Sequence, residues 1–129
     1  MARIEARLNR LQPYALALLR IVVALLILEH GLSKLIGFPG AMPKGFHIAS
    51  LLGLASIIET VGGLLLLVGF RTRLVAFILS GEVAAAYFIA HAPRGFYPIL
   101  NGGEAAILFC FIFLYLACAG GGACSVDRR

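Results

Sequence analysis

Apolar residues recur in four long runs along the chain, separated by short segments rich in polar residues, glycine or proline. The runs cover about residues 14–36, 48–70, 74–91 and 103–119. Apolar side chains fall on every side of each run, without the alternation of period two typical of barrel strands, so each run predicts a helix. A bilayer core needs about 20 mostly apolar residues per helix. The pattern therefore predicts an all-α fold: a membrane-spanning four-helix bundle that forms one integral-membrane domain over residues 1–129.

The composition favours a membrane protein over a soluble one. Hydrophobic residue types make up 61% of the chain and charged types 13%, against about 45–50% and about 25% in soluble domains. So few charges do not cover a water-exposed surface, which excludes a soluble enzyme and a disordered tail. The net charge is +5, but the basic residues are scattered between apolar runs instead of forming a patch. The lipid bilayer is therefore the predicted partner, and nucleic acid is not.

The distribution of basic residues predicts the orientation of the bundle. One set of seven lies before the first run, between the second and third, and after the fourth: Arg3, Arg7, Arg10, Arg71, Arg73, Arg128 and Arg129. The other two loops carry three: Lys34, Lys44 and Arg94. Because positive charge marks cytoplasmic segments, both termini are expected in the cytoplasm.

The first twelve residues predict a short helix on the membrane surface. Ile4, Leu8 and Leu11 share one helical face, with arginines around them. This amphipathic pattern is typical of an interfacial helix. A signal peptide is not indicated, because the Ala-x-Ala pair at Ala15 and Ala17 comes before the long apolar stretch, where no cleavage site could lie.

Each apolar run carries one glutamate, and the first run also carries Arg20. A charge at the bilayer centre costs at least ~2.5–3.5 kcal/mol, so these side chains are expected to face the interior and find partners. At ~1.5 Å per residue, Arg20 lies ~9 Å from the cytoplasmic end, Glu82 ~13 Å, Glu59 ~16 Å and Glu29 ~22 Å. Arg20 and Glu29 point to opposite sides of their helix. We therefore expect Arg20 to pair with Glu82 or Glu59, either as a structural ion pair or in a site that binds protons or a ligand.

Polar residues near the outer end of the bundle predict a cap and a pocket. The run Asn101-Gly102-Gly103-Glu104 has the spacing of a helix capping box. His30 and His91 also fall near this end, where each has an alternative explanation as an ordinary interfacial histidine. Together with Glu29, Asn101 and Glu104 they predict an outward-facing polar pocket.

No metal site is predicted. The glutamates of the first three runs lack the Glu-x-x-His spacing of a di-iron bundle. The three cysteines form no C-x-x-C motif. Cys110 is expected as a small core residue.

The polar motifs, taken in order, resemble those of the DoxX family. The segments that carry the likeness are His30-Gly31-Leu32-Ser33-Lys34-Leu35, Glu59-Thr60-Val61-Gly62-Gly63, Gly81-Glu82, His91-Ala92-Pro93-Arg94, Asn101-Gly102-Gly103-Glu104 and Ser125-x-Asp127. The resemblance implies a small four-helix protein of the bacterial cytoplasmic membrane, linked to quinone-dependent oxidation of thiosulfate and to assemblies that handle oxidative stress. It implies a role for Arg20, His30, Lys34, Glu59, Glu82, His91, Asn101 and Glu104.

Three functions stay open at this point. The first is a redox-associated subunit, with its own enzymatic activity undecided, that binds a quinone headgroup or another small ligand in the outer pocket. No intrinsic cofactor is predicted, since the chain carries no haem, flavin or iron–sulfur motif. The second is a transporter of protons or a small solute, and the third is a membrane scaffold without chemistry of its own. Redox subunits and further copies of the chain are the expected protein partners.

Overall fold

A computed structural model describes residues 1–128 and consists of helices joined by turns and loops. The helices are α1 (Ala2–Ile36), α2 (Leu51–Val68), α3 (Thr72–Ala86), the short α4 (Pro98–Asn101) and α5 (Glu104–Ala119). A π-helical turn and a 3-10 turn extend α3 over Tyr87–His91 and Ala92–Arg94, and a last 3-10 turn covers Val126–Arg128.

The predicted bundle of four helices is confirmed. Three helices, Ala2–Ile36, Leu51–Val68 and Thr72–Arg94, are long and apolar enough to cross a membrane. The fourth, α5, has 16 residues, or about 24 Å of helix at 1.5 Å per residue. It is therefore a little shorter than a hydrocarbon core of about 30 Å, and it completes the bundle by packing along α3.

The chain before the first apolar run is helical, as predicted, but it continues without a break into the first span. Pro13 lies inside α1 and not at the start of a second helix. Its carbonyl oxygen accepts a hydrogen bond from the Ala123 N–H at 3.0 Å. Because α1 has 35 residues, it is about 53 Å long and extends beyond the bundle.

The bundle is built from two helix pairs. Helix α1 packs along α2 and α3 along α5, while α2 and α3 meet over a shorter stretch and α1 and α5 make few contacts. The core between the pairs is apolar and includes Ile27, Leu66, Leu79, Phe113 and Leu116. Many large apolar side chains face outward, as expected where lipid replaces water around the helices.

Gly31 allows α1 to approach α2 closely. A Cβ atom at this position would lie 2.6 Å from Thr60 Oγ1 and 2.7 Å from Thr60 N, which is closer than such atoms approach each other. Small residues at helix interfaces allow backbones in membranes to come into contact. We call the end of the bundle that lies away from the chain termini its outer end, following the predicted orientation. The contact at Gly31 places the outer end of α1 against the middle of α2, where Glu59 lies.

Candidate functional site

An ion pair joins α1 and α2 inside the bundle. Lys34 Nζ donates a hydrogen bond to Glu59 Oε1 at 2.6 Å. The Glu59 side chain is 4% exposed and that of Lys34 is 22% exposed. The lysine stem thus covers apolar surface while its ammonium reaches the carboxylate from the outer end of α1.

Glu82 on α3 faces the same interior space. Both of its carboxylate oxygens are buried and have no hydrogen-bond partner among the described residues. The Glu82 carboxyl interacts electrostatically with the Glu59 carboxyl and the Lys34 ammonium. The predicted interior location of Glu59 and Glu82 is confirmed, and we refer to Lys34, Glu59 and Glu82 as the interior cluster.

The interior cluster contains one cation for two carboxyl groups. Leaving a buried polar group without a hydrogen bond costs about 1–3 kcal/mol, and more when the group is charged. The cluster can therefore accept one further donor, which would be a proton, a water molecule or a polar group of a ligand. Among the described residues it is one of the places where buried polar atoms lack a hydrogen-bond partner.

An apolar groove lies between α2 and α3, next to the interior cluster. It has a volume of about 240 Å³, and its walls include Ile58, Val61, Gly62, Leu65, Ile78 and Leu79. Ile78 and Leu79 precede Glu82 by one helical turn, so they lie on the same face of α3. The groove therefore begins about one helical turn from Glu82 along α3.

The predicted pair of Arg20 with Glu82 or Glu59 is wrong. Arg20 is completely buried, but its Nη2 donates to the Cys124 carbonyl at 3.1 Å. The C-terminal tail (residues 120–127) folds back under the bundle and provides this acceptor. Arg20 is nearer to that end than to the two glutamates, and Glu59 is already paired with Lys34.

The C-terminal tail is fixed by Asp127 as well as by Arg20. The Asp127 carboxylate accepts hydrogen bonds from the backbone N–H groups of Arg71 at 2.7 Å and Thr72 at 2.8 Å. Its own N–H donates to the Gly69 carbonyl at 3.0 Å. Desolvation opposes the charge of Asp127, but the N–H and hydroxyl groups of Thr72, the Arg71 N–H and the nearby Arg20 outweigh it. The pKa of this carboxyl therefore lies below its ordinary value.

The outer end of the bundle contains a separate hydrogen-bond network around Asn101. This buried side chain donates to Tyr87 Oη at 3.2 Å and to the Gly95 carbonyl at 2.9 Å, and it accepts from the Gly103 N–H at 2.8 Å. His91 Nδ1 lies 3.1 Å from the Asn101 carbonyl. Asn101 and His91 therefore hold the outer loop together.

The predicted capping box is wrong. The residue that caps α5 is Gly103, and no side chain caps the first turn of this helix. Asn101 is engaged with the loop instead, and Glu104 is exposed as the first residue of α5. Because the Asn101 side chain already has three hydrogen-bond partners, it does not cap the first turn of α5.

The remaining residues predicted for the outer pocket lie elsewhere. Glu29 and His30 are exposed and line a shallow groove of about 330 Å³ with Ser33, Pro39 and Gly40. His30 also packs edge-on against Phe109, with ring centroids 5.7 Å apart. Among residues 1–128, no three His, Cys, Asp or Glu side chains gather as a metal site requires.

Two important side chains were not among the predicted site residues. Asp127 anchors the tail, and Tyr87 accepts a hydrogen bond from Asn101. Asp127 had a signal in the sequence, because a lone acid after a glycine run is placed to reach an unpaired helix N-terminus. Tyr87 had none, since its contact with Asn101 depends on how the outer loop folds.

Comparison with known proteins identifies the family. The DoxX family profile matches residues 15–92. An uncharacterised protein of Haemophilus influenzae is 46% identical over 127 residues, covering 95% of each chain. The inner membrane protein YqjF of Escherichia coli is 28% identical over 136 residues, covering 94% of this chain and 95% of its own. No solved structure matches. The chain therefore belongs to the DoxX family and is a multi-pass protein of the inner membrane.

Proposed function

We propose that this protein is a redox-associated membrane subunit that binds a quinone, or a similar lipophilic molecule with a polar headgroup, at the interior cluster. The observation that supports this most is the Glu82 carboxyl, whose two oxygens are buried and have no hydrogen-bond partner within residues 1–128. A quinone headgroup that receives protons on reduction becomes a hydrogen-bond donor. Glu82 would be its acceptor.

The groove between α2 and α3 suits the rest of such a molecule. Its walls are formed by aliphatic side chains and one glycine, as the hydrocarbon chain of a lipophilic ligand requires. The groove begins one turn from Glu82, so one elongated molecule would occupy both places. A small hydrophilic solute would gain no binding free energy from contact with these apolar walls.

The interior cluster also provides groups that exchange protons. A bound quinone would supply the two-electron redox chemistry, and the chain would hold and move the protons. Glu82 and Glu59 are acid–base groups within reach of each other, and Lys34 stabilises the negative charge that they share. Intramembrane carboxylates in this arrangement are typical of proton-handling sites.

The interior cluster is a better headgroup site than the outer residues. Glu29 and His30 line an open groove, His91 and Asn101 already bond each other across the loop, and Glu104 is exposed. Side chains that are exposed to water or already hydrogen-bonded within the protein add little to the binding affinity for a ligand.

Titration of the purified protein with a short-chain ubiquinone analogue in its reduced form, which carries the hydroxyl donors, measured by equilibrium dialysis, tests this proposal. Glu82→Gln is expected to weaken binding by about tenfold, because the lost hydrogen bond to a charged group is worth about 1.5–3 kcal/mol. Val61→Trp fills the groove without changing charge and should also weaken binding. Glu104→Gln is the matched control, because this glutamate is exposed at the start of α5.

Two results would contradict the proposal. One is no measurable binding by the folded wild-type protein. The other is binding that Glu82→Gln and Val61→Trp leave unchanged. Loss of binding in Glu29→Gln and His91→Ala alone would instead assign the ligand to the outer end.

A scaffold without chemistry of its own is the second candidate, and the direct contact between Lys34 and Glu59 favours it. A close ion pair of this kind fixes helix order without any ligand. For a scaffold, Glu82→Gln changes stability or the retention of a partner protein, and the ubiquinone analogue does not bind. The same titration therefore separates the two functions.

A further inference from the structure

A large crevice lies at the end of the bundle that holds both chain termini. Its volume is about 760 Å³, and it is bounded by α1, the beginning of α3 and the C-terminal tail. Its polar residues are Gln12, Arg71, Thr72, Arg73 and Asp127, and Leu16 and Leu74 belong to its apolar side. It is distant in sequence and in the fold from the interior cluster, and it shares no residue with it.

Positive charge dominates this end of the molecule. Five exposed arginines, against the two acids Glu5 and Asp127, lie in the first turns of α1 and at the start of α3: Arg3, Arg7, Arg10, Arg71 and Arg73. Asp127 is occupied by the backbone N–H groups that begin α3. Its charge still offsets one arginine, so the five arginines and two acids leave a net charge of +3 at this end.

The crevice wall carries donors that the protein itself does not use. Within residues 1–128 the Arg71 side chain makes no hydrogen bond, whereas Arg73 donates to the carbonyls of Ala117 and Cys118. Thr72 is completely buried, and its hydroxyl interacts with the Asp127 carboxylate. The Arg71 guanidinium is therefore the group of this wall that is free to donate hydrogen bonds to an oxyanion.

We propose that this crevice binds the phosphate group of an anionic phospholipid. Guanidinium groups bind phosphate oxygens in bidentate geometry, and basic pockets at the ends of membrane helices attract anionic headgroups. Leu16 and Leu74 give the acyl chains an apolar path from the crevice to the bilayer. The few contacts between α1 and α5 leave this side of the bundle open to lipid.

Native mass spectrometry of the full chain in neutral detergent tests the proposal. The protein is incubated with phosphatidylglycerol or phosphatidylcholine of identical acyl chains, and the bound lipid is counted. Phosphatidylglycerol should be retained more strongly, and Arg71→Gln should weaken its retention by about fivefold, the effect of about 1 kcal/mol per basic residue near an anionic surface. Arg94→Gln, an exposed arginine at the opposite end, should leave retention unchanged.

A second variant keeps the charges and fills the space. Leu74→Trp should reduce phosphatidylglycerol retention, while thermal unfolding in detergent shows that the protein remains folded. Equal retention of the two lipids, or equal losses in Arg71→Gln and Arg94→Gln, would overturn the proposal. Stabilisation by inorganic phosphate alone, without preference for phosphatidylglycerol, would assign a soluble phosphate and overturn the lipid.

Discussion

Lys34 and Glu59 are 25 positions apart in the sequence, and their side chains meet at 2.6 Å across the interface of α1 and α2. The contact fixes the register of these two helices, because a shift of either helix by one turn would separate the charges by about 5.4 Å. It also affects Glu82, since the Lys34 ammonium near that carboxyl is already engaged with Glu59. Stability therefore depends on the same cluster at which we propose that a ligand binds.

Removing the lysine should destabilise the bundle strongly. Lys34→Met leaves Glu59 buried without a cation, which is expected to lower the free energy of unfolding by about 3 kcal/mol. Replacing both partners in Lys34→Met/Glu59→Leu should recover most of this loss, because no buried charge remains in the pair. Unfolding in detergent, followed by circular dichroism, measures both changes.

Lys44→Met is the control for this prediction. Lys44 is exposed in the loop between α1 and α2, so its replacement should change the free energy of unfolding by no more than about 0.5 kcal/mol. A double variant less stable than Lys34→Met would show that the ion pair itself, and not the unpaired charge, accounts for the effect.

The sequence predicted the helices well because each depends on local composition. The second apolar run was predicted over 48–70 and α2 covers Leu51–Val68; the fourth was predicted over 103–119 and α5 covers Glu104–Ala119. Within lipid, every backbone N–H and C=O group must be hydrogen-bonded inside the protein, which favours a helix. A long apolar run therefore predicts the position of a spanning helix. The burial of Glu59 followed from the same reasoning.

The partners of the buried charges were not predictable in this way. Depth along straight helices predicted that Arg20 lies near Glu59 and Glu82. In the structure the C-terminal tail accepts the hydrogen bond from Arg20, and Lys34 pairs with Glu59. Both contacts depend on features that helix geometry omits, namely a loop that folds back and the length of a flexible lysine. The capping box failed for the same reason, because Asn101 bonds the outer loop.

Two glycines inside helices should respond in opposite ways to the same substitution. Gly31→Ala places a Cβ atom 2.6 Å from Thr60 Oγ1, whereas the Cβ atom at Gly81 meets nothing within 4 Å. Gly31→Ala is expected to destabilise the bundle by about 1–3 kcal/mol, as overpacking does. Gly81→Ala should be neutral or stabilising by up to about 1 kcal/mol, because alanine favours the helix.

Both substitutions gain the same helix propensity. The difference between their changes in stability therefore measures the cost of crowding the contact between α1 and α2. Thermal unfolding of both variants in one detergent measures it. Equal stabilities would show that α1 and α2 do not approach each other at Gly31.

Asp127→Ala should release the C-terminal tail, because the Arg71 and Thr72 N–H groups at the start of α3 would lose their acceptor. The loss of such a cap costs about 1 kcal/mol. Hydrogen exchange should quicken at the Ala123 N–H, which the Pro13 carbonyl holds in the native tail. Glu5→Gln, an exposed acid at the same end, should change neither quantity.

The stabilisation by Asp127 should also depend on pH in one direction. Its pKa in the folded protein lies below the ordinary value, so the carboxylate contributes fully above pH of about 4. The contribution falls as the pH drops through the lower, native pKa, where the folded state takes up its proton. The difference in unfolding temperature between wild type and Asp127→Ala should therefore be constant from neutral pH down to about 4 and shrink below it. A difference that grows on acidification would show that the carboxylate is not held by the N–H groups of α3.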